Sequence, residues 1–162
     1  MVANLTIGDP APDFDLPTDG GGRLRLSQLR GVLVVFFYPK DDTKACTSEA
    51  IAFNRLAPQF AAAGATIIGI SPDSVSSHAA FKRKHGLDLT LLADPDHTAI
   101  DAYDVWREKS MYGRKYMGVE RSTAIVGADG RIAQLRRKVR VTRHAEQTLA
   151  AVRALQTAFA KH

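Results

Sequence analysis

A chain of 162 residues that is 45% hydrophobic and 24% charged, with 12 glycines and 7 prolines, has globular composition, which excludes collagen-like, low-complexity and disordered classes and predicts one domain over residues 1–162. Its longest apolar run, Val32 to Tyr38, is far short of the roughly 20 residues that cross a bilayer, and Met1 to Pro10 carries no secretory signal pattern, so a cytoplasmic protein without membrane contact is expected. The net charge of +5 is concentrated after position 130, where 8 Lys/Arg face the single Glu146. Because Arg136, Arg137, Lys138, Arg140 and Arg143 alternate in part with Leu135, Val139 and Val141 and no aromatic residue is interleaved, this reads as a solvated face in preference to a nucleic-acid surface.

In chain order, Arg23-Leu24-Arg25-Leu26 alternates as a short strand does after Gly20-Gly21-Gly22, and Ser27 to Gly31 reads as a helical turn closed by glycine. Val32 to Phe37 is a continuous β-branched and aromatic run, the pattern of a central strand covered on both faces, and Pro39 ends it. From Cys46 onward Ala50, Phe53, Ala57, Phe60 and Ala61 recur at helical spacing. Pro58, with no amide to donate and a ring that meets the preceding turn, is expected to kink or divide that helix. Ala65 to Ile70 is a second strand, Ser74 caps a helix running to Gly86, and Leu89 to Leu92 is a third strand, so the stretch reads β-α-β-α-β.

Thr98 to Tyr103 suggests a short helix, and a polar loop is expected from Arg107 to Arg121. Ser122 to Val126 and Arg131 to Leu135 flank Gly127-Ala128-Asp129-Gly130, where Asp-Gly signals a hairpin. A last helix from about His144 to Ala160 carries Leu149, Val152 and Leu155. Crossover units followed by a hairpin and a final helix predict an α/β fold with a central mixed β-sheet flanked by helices.

Cys46 is the one cysteine, so neither an intramolecular disulfide nor a multi-thiolate metal site can form. It follows the buried strand by a short loop and opens the next helix, where unpaired amides and the macrodipole place about half a positive charge and favour a thiolate. Lys40, Lys44 or an arginine from elsewhere in the chain would add to that effect. The competing reading, an inert buried thiol, sits poorly beside Lys40-Asp41-Asp42-Thr43-Lys44. His78, His85, His97, His144 and His162 show no pair at metal-ligand spacing and no carboxylate cluster joins them, so no metal is expected. No glycine-rich loop follows a strand, so no nucleotide or other cofactor is expected either. Trp106 and Tyr112 read as packing or loop residues.

The segment Phe37-Tyr38-Pro39-Lys40-Asp41-Asp42-Thr43-Lys44-Ala45-Cys46-Thr47-Ser48-Glu49 resembles the peroxidatic loop of peroxiredoxins, whose pattern of Pro, three residues, Thr, two residues, Cys is met by Pro39, Thr43 and Cys46. Nearly the whole chain is similar to the bacterioferritin comigratory protein, or Q-type, subgroup, from Gly8-Asp9-Pro10-Ala11-Pro12 through Trp106-Arg107-Glu108-Lys109, Tyr116-Met117-Gly118, Arg121-Ser122-Thr123 and Lys138-Val139. The resemblance implies a thioredoxin-like fold, in agreement with the strand and helix order above. It implies that Cys46 is the peroxidatic nucleophile, that Thr43 places its hydroxyl beside sulfur and peroxide, and that Arg121 holds the thiolate and the developing oxyanion. Pro39 would shield the site, and Glu49 would orient Arg121 or the helix start.

Many members of this subgroup carry a resolving cysteine five residues after the peroxidatic one, where this chain has Ile51, and others place it on the next helix, where Ser76 to His85 holds none. A one-cysteine peroxidase is therefore expected, a monomer that reduces hydrogen peroxide and organic hydroperoxides. An external thiol such as thioredoxin or glutaredoxin/glutathione would regenerate it. The alternative is a thiol-based peroxide sensor or relay that forms mixed disulfides with a partner protein. A nucleic-acid module built on the basic C-terminal region is the third reading.

Overall fold

The computed structural model describes residues 5–160. Strands β1 (Asp15–Pro17) and β2 (Arg23–Arg25) form an antiparallel pair, followed by a single 3-10 turn at Leu26–Gln28. The βαβαβ unit comprises β3 (Val32–Phe37), α1 (Lys44–Ala62), β4 (Ala65–Ser71), α2 (Val75–His85) and β5 (Thr90–Ala93). Beyond it lie α3 (Thr98–Ala102), the hairpin of β6 (Trp106–Met111) and β7 (Arg114–Val119), then β8 (Ser122–Val126), β9 (Ile132–Arg136) and α4 (His144–Ala160). The main sheet has the order β5-β4-β3-β8-β9, with β3, β4 and β5 parallel and β8 and β9 antiparallel. This is the mixed sheet expected from the chain-order reading.

Every residue of β3 is buried because the strand is covered on both faces. Val34 and Phe36 point into a core with Phe53 and Phe60 of α1, Phe81 of α2 and Leu149 and Val152 of α4. Leu33, Val35 and Phe37 point the other way, to Ile100 of α3, Tyr103, and Phe14, Leu16 and Leu26 from the N-terminal segment. Each large apolar side chain so buried contributes about 1.5–3 kcal/mol. Gly69, in the middle of β4, keeps the first of these layers closed: a Cβ there would stand 2.7 Å from Cζ of Phe36 and 2.8 Å from Cδ2 of Leu91. Helix α2 follows its sequence signals at both ends. Ser74 Oγ accepts the Ser77 amide at 3.1 Å, and Gly86 closes the helix at φ +64° behind four basic residues.

Two expectations are corrected and one strand pairing is new. Helix α1 is not divided: it runs unbroken through Pro58 to Ala62. Pro58 is exposed and lies in the helix's last turns, where the one backbone bond it forgoes costs least. The polar loop expected over Arg107–Arg121 is largely the β6–β7 hairpin, turned by Tyr112-Gly113 at φ +53° and +78°. Two consecutive positive φ values make this a type I′ turn, and the hairpin escapes pattern reading because most of its residues face solvent on both sides. The pairing of Asp15–Pro17 as β1 was likewise not expected. Among the described residues, no helix is long and apolar enough to cross a membrane.

Candidate active site

The register of the main sheet builds the site. Phe37 pairs with Ser122 across the antiparallel β3–β8 ladder, so Arg121, one residue before β8, lies opposite the start of the loop that leaves β3. That loop, from Tyr38 to Thr43, delivers the chain to α1, and Cys46 occupies the helix's first turn at 1% exposure. Arg121 reaches back across the ladder and donates through Nη2 to Cys46 Sγ at 3.2 Å and through Nη1 to Glu49 Oε1 at 2.6 Å. Cys46 and Glu49, three residues apart on a helix, project from neighbouring positions of one face, which is why one guanidinium can serve both. The other carboxylate oxygen, Glu49 Oε2, is buried with no hydrogen-bond partner among the described residues.

The electrostatics follow from this shared burial. Burial pushes the Glu49 carboxyl up to about 7, against the opposing pull of Arg121. Burial also works against the Arg121 charge, but Glu49 and Cys46 more than offset it and hold the guanidinium above its ordinary value. Lys109 of the β6–β7 hairpin interacts with Cys46 as well. Burial and the Arg121 charge hold its ammonium below the usual lysine value, while its Nζ donates to the Val119 carbonyl at 3.0 Å. Lys109 is absent from the expected site because the stretch that carries it reads as loop; the pairing of Lys109 with Tyr116 in the hairpin fixes its place.

Thr43 is the backbone N-cap of α1, yet its side chain caps nothing: the hydroxyl donates to the Lys40 carbonyl at 3.0 Å. Its oxygen lone pairs therefore remain available. Pro39 is half-buried, two residues beyond β3, whereas Lys40 and Lys44 are exposed. Trp106 packs on His97 with ring centroids 4.3 Å apart, and Tyr112 is 98% exposed at the hairpin tip, as packing and loop residues should be.

The expectation that no carboxylates gather around a histidine fails. Asp41, Asp73 and His78, far apart in sequence, bring ligand-capable atoms within 4.8 Å of one another. Those atoms are taken up by hydrogen bonds: His78 Nε2 donates to the Leu92 carbonyl at 3.0 Å, and Nδ1 lies 2.7 Å from Asp41 Oδ2. Tyr38 and Ser77 hydroxyls donate to the same Asp41 carboxylate at 2.6 and 2.8 Å, and the Asp41 amide donates to Asp73 at 2.8 Å. Burial opposes the Asp41 charge, but the bonds from His78, Tyr38 and Ser77 outweigh it and hold the carboxyl below its usual range. Beside it, Asp42, at φ +61°, binds Lys84 at 2.7 Å and His85 at 2.9 Å. Two successive aspartates thus fasten the loop before Cys46 to α2. His162 lies outside the described residues.

The chain is similar to known proteins along nearly its whole length. The AhpC/TSA family model matches residues 7–135. Peroxiredoxin Bcp of Bacillus subtilis is 44% identical over 146 residues, 90% of this chain and 93% of that protein. Peroxiredoxin Bcp of Xanthomonas campestris is 46% identical over 148 residues, 90% and 92%. Among solved structures, the bacterioferritin comigratory protein of Xanthomonas campestris, studied for its alkyl peroxide reduction activity, has a TM-score of 0.86 at 42% identity, covering 96% of this chain and 99% of that one. BcpB of Mycobacterium tuberculosis has a TM-score of 0.82 at 34% identity, covering 94% and 99%. The chain therefore belongs to the AhpC/TSA family, as a peroxiredoxin of the Bcp kind.

Proposed function

We propose that the chain reduces hydrogen peroxide and organic hydroperoxides at Cys46, and that a thiol from outside the chain regenerates the sulfur. The observation that carries this reading is the 3.2 Å contact of Arg121 with Sγ of a cysteine that opens a helix. The thiolate attacks one peroxide oxygen; the S–O bond forms as the O–O bond breaks, and the departing oxygen takes a proton to leave as alcohol or water. Arg121 stabilises both the thiolate and the charge that develops on oxygen. Thr43, its own proton held by the Lys40 carbonyl, offers lone pairs to the hydroperoxide proton. Pro39 keeps bulk water from the loop, and Glu49 fixes the direction of Arg121.

With one cysteine in the chain, the sulfenic acid has no internal partner and meets thioredoxin, glutaredoxin/glutathione or a similar thiol. The reading includes a single domain acting as a monomer in the cytoplasm, where a reducing environment suits a lone thiol. Peroxide consumption measured with each reductant in turn tests it. The parent turns over with at least one of them, and Cys46→Ser consumes none, because a serine hydroxyl without a base is a poor nucleophile. Retained activity in Cys46→Ser would overturn the assignment. Stoichiometric oxidation without turnover by any reductant would mark a sensor or relay.

A further inference from the structure

We propose that the basic groove beside Arg121 binds the reductant, and that this reductant is a small thiol bearing carboxylates. The inference rests on the reading of Cys46 as a nucleophile regenerated by an external thiol. The groove, of about 480 Å³, is lined by Arg136, Arg137, Lys138, Arg140, His144 and Gln147 among others, with no carboxylate in its wall. That volume suits a ligand of two or three amino-acid residues. Arg136 donates to Gln134 and Gln147, and Arg137 to the main-chain oxygens of Tyr103 and Asp104. Among the described residues none of these four cations takes part in an ion pair. Helix α4 begins at His144 in the groove wall, with the His144 amide bonded to the Val141 carbonyl at 3.0 Å, and the positive end of the helix dipole adds to the field of the four cations. Its one early acid, Glu146, is engaged by Arg55 at 3.0 Å.

The groove is tied to the sulfur through one residue. Val139, in its wall, donates its amide to the Arg121 carbonyl at 2.9 Å, and the same arginine's Nη2 lies 3.2 Å from Sγ. His144 is exposed to the charges of both Arg136 and Arg121. A carboxylate seated between Lys138 and Arg140 would put the thiol of a short flexible molecule on the Arg121 side of the site, where Cys46, 1% exposed, must turn outward to meet it. Its thiolate attacks the Cys46 sulfenic sulfur, forming the mixed disulfide as the hydroxyl leaves and takes a proton to become water. A second thiol molecule then attacks the mixed disulfide, releasing the Cys46 thiolate and the disulfide of the small thiol. Two thiols thus supply the two electrons that the peroxide took.

The test follows the two half-reactions separately. Protein oxidised by one equivalent of hydrogen peroxide is mixed with glutathione, a tripeptide thiol with two carboxylates, or with its diethyl ester, which presents the same thiol without those charges. The acid is expected to reduce the parent's sulfenic acid faster than the ester does, with an advantage that shrinks as salt rises. Lys138→Asn with Arg140→Gln removes two charges, and Asn tolerates the φ of +51° at position 138. This variant should lose about tenfold in the rate with the acid, about threefold per exposed charge, and nothing in the rate with the ester or in oxidation by hydrogen peroxide. Equal rates for acid and ester in the parent, or an equal loss for both in the variant, would overturn the proposal. So would a loss confined to reduction by a dithiol protein, since the groove would then be a protein-docking face. Failure of hydrogen peroxide to oxidise Cys46 appears before any thiol is added, and would overturn the underlying reading instead.

Discussion

Arg121 shares one guanidinium between Sγ of Cys46 and Oε1 of Glu49, and it is the side chain on which the site's geometry and charge both depend. Arg121→Met removes the charge and both donors while keeping a long side chain. It is expected to slow Cys46 oxidation by roughly ten- to a thousandfold, the range for a lost donor to developing charge. Arg121→Lys keeps a charge without the fork and should fall between the two. Stopped-flow oxidation at matched thermal stability distinguishes this from unfolding. Thr43→Val is nearly isosteric and removes only the hydroxyl; a loss of about ten- to a thousandfold is expected for the peroxide step. An unchanged rate would show that the Thr43 bond to Lys40 merely shapes the loop. At this scale the Pro39, Thr43 and Cys46 pattern is legible in local spacing, whereas the meeting of Arg121 with Cys46 across 75 residues was expected only from the family resemblance. The Asp41–His78 pair was not, because two residues joined only by folding leave no trace at any fixed interval.

Helix α1 shows which local rules hold and which yield to context. Its apolar face followed from the recurrence of Phe53 and Phe60, but it starts at Lys44, two residues before Cys46, and Pro58 did not break it, since an exposed last turn tolerates a missing donor. The hairpin of β6 and β7 was illegible for the opposite reason: no buried face imposed alternation on Trp106–Val119, and only Tyr112-Gly113 marked the turn. Ile51, which stands where the resemblance to the Q-type subgroup implies a resolving cysteine, is 44% exposed, while Cys46 faces the core. Five residues of helix separate them by about 7.5 Å along the axis and about 140° of rotation, so no disulfide can join the two positions while α1 is intact. Thr43 gives the first turn no side-chain cap, and one of the bonds that holds it, from Arg121 to Cys46, ends on the very sulfur that peroxide oxidises. Ile51→Cys is therefore expected to unwind locally after peroxide addition, to join the two sulfurs, and to resist overoxidation at little cost in stability. Peptide mapping that finds Cys46 as sulfinic acid beside a free introduced thiol would show that the turn stays wound.

At the scale of the whole molecule, two buried groups on α1 and α4 give stability opposite dependences on pH. Burial lifts Glu49 to about 7 from an ordinary 4.5, so the folded protein holds a proton that the unfolded chain releases. Its contribution is full below about pH 4.5 and is lost as pH rises toward 7. Burial, aided by Arg136 and Arg121, depresses His144 to about 4 from 6.5, so the unfolded chain takes up a proton that the folded one refuses. Its contribution is full above about pH 6.5 and is lost as pH falls toward 4. Each shift is worth at most about 3 kcal/mol, and over their common window the two slopes oppose. Glu49→Gln should leave the histidine uncovered, so that stability climbs with pH across that window more steeply than in the parent. His144→Gln, which keeps a polar partner for Thr123, should do the reverse and make stability fall with pH. Denaturant unfolding of the parent and both variants at pH values from 4 to 7 reads these slopes directly, and parallel curves for all three would mean that neither group titrates on unfolding.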